Sequence, residues 1–187
     1  MSEIVLSSVT TTRRTEIDWL YRGVGRFFPE QWERFAEGAP GTPRDGDIVA
    51  AYARLAEDPD AAVREKATAD WCAREDAVLS GETNGGAVYA ARPSAARLAF
   101  VRICSHYFAN GAWLEEGVLL REAHRLAGIP GVLIHGRLDM GGPLDTAWQL
   151  ARAWPGADLT VIEDAGHLGN EVQVSHVLDA LNRFAGR

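Results

Sequence analysis

The sequence predicts an α/β fold: about three parallel strands, flanking helices and a large helical insertion. Three observations carry that prediction. Residues 131–184 run strand, helix, strand, helix, the alternation that builds a parallel sheet through right-handed crossovers. Glu3–Thr10 (EIVLSSVT) is apolar and β-branched, and reads as a further buried strand. The stretch between them has helical spacing broken by Gly/Pro-rich loops. The expected organisation is therefore a first core strand in 1–13, a helical lid over 14–128, and a C-terminal βαβα half of the core over 129–187.

The elements follow in order. Glu16–Tyr21 and Pro29–Phe35 are predicted helices, and Pro29 sits in a first turn, where its missing N–H is not needed. Gly38–Gly46 is a Gly/Pro-rich loop. Asp47–Ala56 and Ala61–Leu79 are amphipathic helices; in the second, Val63, Ala67, Trp71 and Arg74–Glu75 recur at helical spacing. Gly81–Gly86 breaks the pattern. Ala95–Asn110 is an aromatic-rich helix and Leu119–Ala127 closes the helical block. Gly131–His135 and Asp158–Glu163 are the later strands, with helices over Pro143–Trp154 and Glu171–Phe184. No internal repeat or low-complexity tract is present.

Composition narrows the function. A chain of 187 residues that is 47% hydrophobic can bury a core as one domain with a built-in lid. A net charge of −7 argues against nucleic acid, which needs a basic face. The longest apolar runs are too short to span a membrane, and MSEIVLSSV lacks the charged start and apolar core of a signal peptide. Cys72 and Cys104 form no disulfide framework and no C-x-x-C pair. Two reduced thiols fit a cytoplasmic location. No two histidines fall at i, i+4 and no Cys/His cluster has zinc spacing, so no metal is expected. Residues 81–86 (GETNGG) lack the G-K-[ST] ending of a phosphate loop, and no cofactor is expected.

The chemistry gathers at strand ends. One strand runs into His135-Gly136-Arg137-Leu138-Asp139 and the next into Ala165-Gly166-His167. Thr10–Thr12 lies at the corresponding end of the first. In an open parallel sheet this carboxyl edge is where ligands bind. An Asp after one strand and a His after the next follows the Ser…Asp…His order of α/β-hydrolases. Their serine stands upstream in a G-x-S-x-G turn, yet none of Ser2, Ser7, Ser8, Ser80, Ser94, Ser105 or Ser175 has that frame. Asp139 and His167 are thus an acid and a base without the nucleophile they would serve. Such a dyad can still move protons, and a positioned general base is worth about 10²–10⁴-fold. The competing reading is a pair retained for packing.

Several segments carry a resemblance. EIDWLYRGVGRFFPEQWERF (Glu16–Phe35), ICSHYF (Ile103–Phe108), IPGVLIHGRLD and AWQLARAWPGADLTVIEDAGH resemble the lid and C-terminal part of proline iminopeptidases (prolyl aminopeptidases), serine peptidases of the α/β-hydrolase fold. The resemblance implies a truncated α/β-hydrolase fold, with Asp139 and His167 as catalytic acid and base and Glu75 as the carboxylate that holds a substrate amino group. The family's N-terminal region, with its serine elbow and oxyanion-hole loop, has no counterpart here. A family Arg and Phe near the end of the first strand align with Ser7 and Thr10, and a second amine-binding Glu aligns with Cys104. The implied substrate-binding set is Glu75, Cys104, Thr10 and Tyr107, with His106 beside them. Cys104 is either a thiolate nucleophile or a small buried hydrophobe. Glu75 is either a cation site or a helix-surface carboxylate beside Arg74 and Asp76. His135 reads as structural, and His124 and His176 as surface positions. Trp19, Trp148 and Trp154 read as core, and Trp71 and Trp113 as lid residues available to a pocket.

The resulting expectation is a shortened proline-iminopeptidase-like protein that is not a serine peptidase. It would be a repurposed small-molecule enzyme of specialised metabolism, using the His–Asp dyad in a lid-covered pocket for cyclisation, elimination or isomerisation of an amine-containing metabolite. The alternatives are a non-catalytic binding protein, or one half of a split prolyl aminopeptidase. Expected partners are a small-molecule ligand and either a second copy, joined as a homodimer through the Glu3–Thr10 edge, or a complementary N-terminal-half chain.

Overall fold

The structure is a computed structural model that describes residues 2–43 and 46–186. Arg44 and Asp45, in the predicted Gly38–Gly46 loop, lie outside the described residues, as do Met1 of the predicted segment 1–13 and Arg187 of the predicted segment 129–187. The chain divides into two compact units, Met1–Glu16 with Glu115–Arg187, and Ile17–Leu114.

The first unit holds a three-stranded sheet in the order β1 (Ile4–Ser7), β2 (Gly131–Gly136), β3 (Ala157–Ile162), with both pairings parallel. Ile4 lies opposite Gly131, and Gly131 opposite Ala157. Every residue of central β2 is buried, as its unbroken apolar run requires. Side chains alternate between two layers. Leu133, with Ile4 and Leu6 of β1, packs against Ala147, Leu150 and Trp154. Val132 and Ile134, with Val5, pack against Val177, Ala180 and Phe184. Each buried aliphatic side chain contributes about 1.5–3 kcal/mol. Trp154 also donates from Nε1 to the carbonyls of Leu126 and Ile129, 3.1 Å each, and so fixes the chain entering β2.

The helices, in chain order, are α1 (Arg14–Tyr21), α2 (Pro29–Glu37), α3 (Ile48–Leu55), α4 (Ala61–Val78), α5 (Ser80–Thr83), α6 (Ser94–Ala109), α7 (Val118–Arg121), α8 (Leu144–Ala153) and α9 (Glu171–Phe184). Helices α8 and α9 cover opposite faces of the sheet. Asn170 caps α9, its side chain accepting the Gln173 amide at 3.0 Å. Leu120, Ala123 and Leu126 of the 115–128 segment pack in the α8 layer of the first unit.

The second unit is helical. Its core is aromatic: Phe35 and Tyr52 stack at 4.3 Å, and Trp71 meets both edge-on. The Tyr52 hydroxyl donates to the Phe35 carbonyl at 2.7 Å. Asp47 and Asp60 cap α3 and α4. Asp76 accepts the amides of Val88, Tyr89 and Ala90 at 2.8–2.9 Å, which secures the segment between α5 and α6. The predicted break at 81–86 starts later than expected. Helix α5 runs to Thr83, and left-handed Asn84 ends it.

Other expectations shift as well. β1 is four residues long rather than eight. Ser8 (φ 49°) and Thr12 (φ 56°) turn left-handed, and the hydroxyls that follow β1 bond locally instead of continuing a ladder. Trp148 is 52% exposed, because α8 turns Ala147 and Leu150 inward and leaves 148 on its flank. Trp71 is fully buried core, while Trp113 is exposed. No helix among the described residues is long and apolar enough to cross a membrane.

Candidate active site

Two strand-end turns of the first unit build the site. After β2 the Arg137 amide donates to the Ile162 carbonyl and the Leu138 amide to Ala165, both at 2.9 Å. The chain end of β2 is thereby tied to the turn after β3. Gly136 permits this approach: a Cβ there would lie 2.4 Å from the Ala165 oxygen and 2.6 Å from that of Gly166. The two turns therefore touch through backbone, and the side chains that follow them, Asp139 and His167, meet.

His167 Nδ1 lies 3.1 and 3.2 Å from the two carboxylate oxygens of Asp139. A carboxylate only accepts, so Nδ1 carries the proton and the basic lone pair falls on Nε2. The Asp139 side chain is 0% exposed and that of His167 38%. The carboxylate also accepts the Gly142 amide at 2.7 Å, which helps to offset burial of its charge. Gly141 passes over the pair, its Cβ position 3.4 Å from both Asp139 Oδ1 and His167 Nδ1. Ser8 Oγ donates to the His167 carbonyl at 3.4 Å. Gln173 donates to the Ser7 and Ser8 hydroxyls at 3.0 and 3.4 Å. The geometry is that of a base oriented by a buried acid, the arrangement used for proton transfer.

Thr10 reaches the same edge of the sheet, but its hydroxyl is 2.7 Å from Glu16 Oε2. Glu16 also takes the amides of Thr11 and Thr12, the Thr11 hydroxyl and Arg13 Nε. Burial raises its pKa, and these donors more than reverse that, holding it below 4.5.

The remaining predicted residues belong to the helical unit. Glu75 is 13% exposed at its side chain, 3.1 Å from Arg74 Nη1, and accepts the Tyr21 hydroxyl at 3.3 Å. Arg74 is buried, with its guanidinium 4.6 Å over the Tyr21 ring. The surface-carboxylate reading of Glu75 therefore fails. Cys104 shares this neighbourhood. Burial first, then the charge of Glu75 and the Cys72 thiol, push its pKa up to about 12, so at neutral pH it is a thiol and no nucleophile. Cys72 is likewise raised to about 11, chiefly by burial. Tyr107 is half exposed and packs edge-on to Trp113 at 5.3 Å, with His106 4.8 Å from the same indole. A groove of about 480 Å³ in this unit is lined by Arg22, Trp32, Glu33 and Glu37, and includes none of the predicted site residues.

Among the described residues no group of three His, Cys, Asp or Glu side chains is placed to hold a metal. Sequence reasoning missed Glu16, whose clue was the run of hydroxyl residues before it.

A parallel sheet with an acid and a base on successive strand ends, joined by one hydrogen bond, defines an α/β-hydrolase-type site. No family model matches the chain. It is 40% identical over 189 residues to a probable proline iminopeptidase of Streptomyces coelicolor, covering 99% of this chain and 58% of the relative. It is 38% identical to the proline iminopeptidase of Xanthomonas citri, covering 98% and 59%, and 33% identical to that of Arabidopsis thaliana, covering 96% and 48%. The chain belongs to the proline iminopeptidase family and corresponds to a C-terminal part of it. It spans 48–59% of the length of these curated relatives.

Proposed function

We propose that this chain carries the acid–base half of an α/β-hydrolase-derived site, and that His167, oriented by Asp139, accepts and returns a proton on a small amine-bearing substrate. One observation carries the reading: a fully buried Asp139 holds the Nδ1–H of a partly exposed His167. In the reaction, Nε2 takes a proton from the substrate, Asp139 stabilises the imidazolium, and the proton is returned to the product. Cyclisation, elimination or isomerisation fits such a sequence without a serine acyl-enzyme. The preference for amine-bearing substrates rests on the resemblance at Glu75 alone. Free thiols at Cys72 and Cys104 accord with a cytoplasmic setting. The test is conversion of a panel of amine-bearing metabolites, with cyclised, eliminated or isomerised products read by mass spectrometry and NMR, by the wild-type chain and by His167→Ala, with folding checked by circular dichroism. Loss of turnover with retained fold supports the reading. Undiminished turnover, or ligand binding without any turnover in the wild type, sinks it.

A second reading, in which another polypeptide completes the site, has its own support. Ile4 and Ser8 donate their amides toward β2, so alternation turns those of Val5 and Ser7 to the opposite edge of β1. Val174, Leu178 and Leu181 form an exposed apolar row on α9. That row lies on the flank away from His176, Asp179 and Arg183, which face β3. Edge and row together suit a further strand and its helix. Under this reading the added chain brings the G-x-S-x-G serine, and the assembled pair cleaves proline arylamides as the relatives' name implies. Light scattering discriminates: doubled mass means a two-fold homodimer through β1, and gain of mass only with the complementary polypeptide means a split peptidase.

A further inference from the structure

We propose that His135 is a positioning residue for the acid–base pair, acting on Asp139 through the Gly142 peptide. The inference rests on reading Asp139–His167 as the working pair, but its test does not depend on turnover.

His135 is the fifth residue of β2, and its side chain is fully buried. A leucine or valine would fill that place without burying a polar ring. What the imidazole adds is a bond from Nε2 to the Gly142 carbonyl, 2.7 Å long. A carbonyl only accepts, so Nε2 carries the proton. Nδ1 is buried without a hydrogen-bond partner, so the ring's one hydrogen bond is the one to Gly142. The N–H of the same Gly142 donates to Asp139 Oδ1 at 2.7 Å. The Gly142 residue is thus clipped at its carbonyl by His135 and at its amide by Asp139. His135 Nε2 stands 3.6 Å from Asp139 Oδ2, too far for a hydrogen bond, so its hold on the carboxylate is indirect.

The clip matters because of what it holds. Gly141-Gly142 is a two-glycine segment with wide conformational freedom, and it passes directly over the Asp139–His167 bond. Without the His135 bond this segment is free to sample other conformations. Asp139 then loses its fixed amide donor, and the carboxylate is free to rotate away from His167.

The experiment is proton NMR on the full chain, following the His167 Nδ1 proton in its bond to Asp139, with Asp139→Asn as the assignment control. His135→Leu keeps apolar volume and removes the donor; His135→Gln retains an N–H able to reach Gly142. We expect the proton in His135→Leu to exchange with solvent about tenfold faster, the scale of one lost hydrogen bond, and to return toward wild-type protection in His135→Gln. A folded His135→Leu chain with wild-type protection overturns the proposal, as does equal loss in both variants. If His135→Leu does not fold, His135→Met fills the same space with a flexible chain and decides in the same way. Failed turnover beside a positive NMR result counts against the proposed function and leaves the clip standing.

Discussion

Glu16 and Asp139 are both carboxylates at the carboxyl edge of one sheet, and they are held in opposite ways. Glu16 is surrounded by donors that keep their protons at any ordinary pH: the Thr10 and Thr11 hydroxyls, two amides and the Arg13 guanidinium. Asp139 has one amide and one imidazole. The first set can only fix geometry, and through Arg13, which donates to Gln149 at 2.8 Å, it ties the exit of β1 to α8. The second includes a histidine, which under the proposed function is the group that takes and returns a proton. Burial alone does not set the two carboxylates apart; the chemistry of their donors does.

The widest separation comes from neutralising each carboxylate in turn. Asp139→Asn is nearly isosteric and can still accept the Gly142 amide, but it no longer holds His167 in the Nδ1–H tautomer. Under the proposed function, turnover should fall about 10³–10⁴-fold. The melting temperature should move little, because removing a buried charge offsets the lost bond. A small effect on turnover would place Asp139 with Glu16 among structural carboxylates. Glu75 offers a third case of almost the same size. Together with burial it holds the Cys104 thiol near 12. At pH 8, alkylation of the native chain at Cys104 by iodoacetamide should be slower than for a thiol at the ordinary value of 9.0 by about 10³-fold, the ratio of thiolate present. Rapid labelling in the folded chain, read by mass spectrometry, would restore the nucleophile reading that the structure sets aside.

A backbone substitution tests the contact that brings the two turns together. Gly136→Ala puts a methyl against the Ala165 and Gly166 carbonyls, which cannot yield as a flexible side chain would. Overpacking of this kind costs about 1–3 kcal/mol. It should also part Asp139 from His167, so turnover should fall further than the same loss of stability causes elsewhere in the core. Equal falls in a Gly136 variant and a remote core variant would show that the approach of the turns has no special role.

How much of this was legible in the sequence follows the range of the interactions. Helix α9 runs from Glu171 to Phe184, the span the sequence predicts, because helical periodicity is a local signal. That Asp139 and His167 meet was legible on similar grounds, since each stands in the turn after one of two successive strands. β1 was overread. Its β-branched composition continues to Thr10, but the hydroxyls of Thr10 and Thr11 are drawn to a glutamate further along the chain, and composition does not register that bond. Trp148 and Trp154 look alike in sequence; one is exposed and the other buried, because the packing of α8 on β2 decides which side of the helix faces in. The part played by His135 depends on a bond to a glycine carbonyl, and a carbonyl has no sequence signature at all.

The smallest effect concerns Glu16 itself. Its folded pKa lies below 4.5 while its unfolded value is ordinary. The folded chain therefore binds this proton less readily than the unfolded one. Stabilisation is fully present above pH 4.5 and is lost as pH falls through the lower folded value. Glu16→Gln removes the charge and weakens bonds from five donors, for a cost at pH 7 of about 1–2 kcal/mol. Below pH 4.5 the gap between wild type and variant should close, because protonation brings the wild-type side chain to the same neutral state. Thermal melts of the two chains between pH 7 and 3 read this directly. A gap that stays constant with pH would mean that Glu16 acts through shape rather than charge, and the contrast with Asp139 would then rest on Asp139 alone.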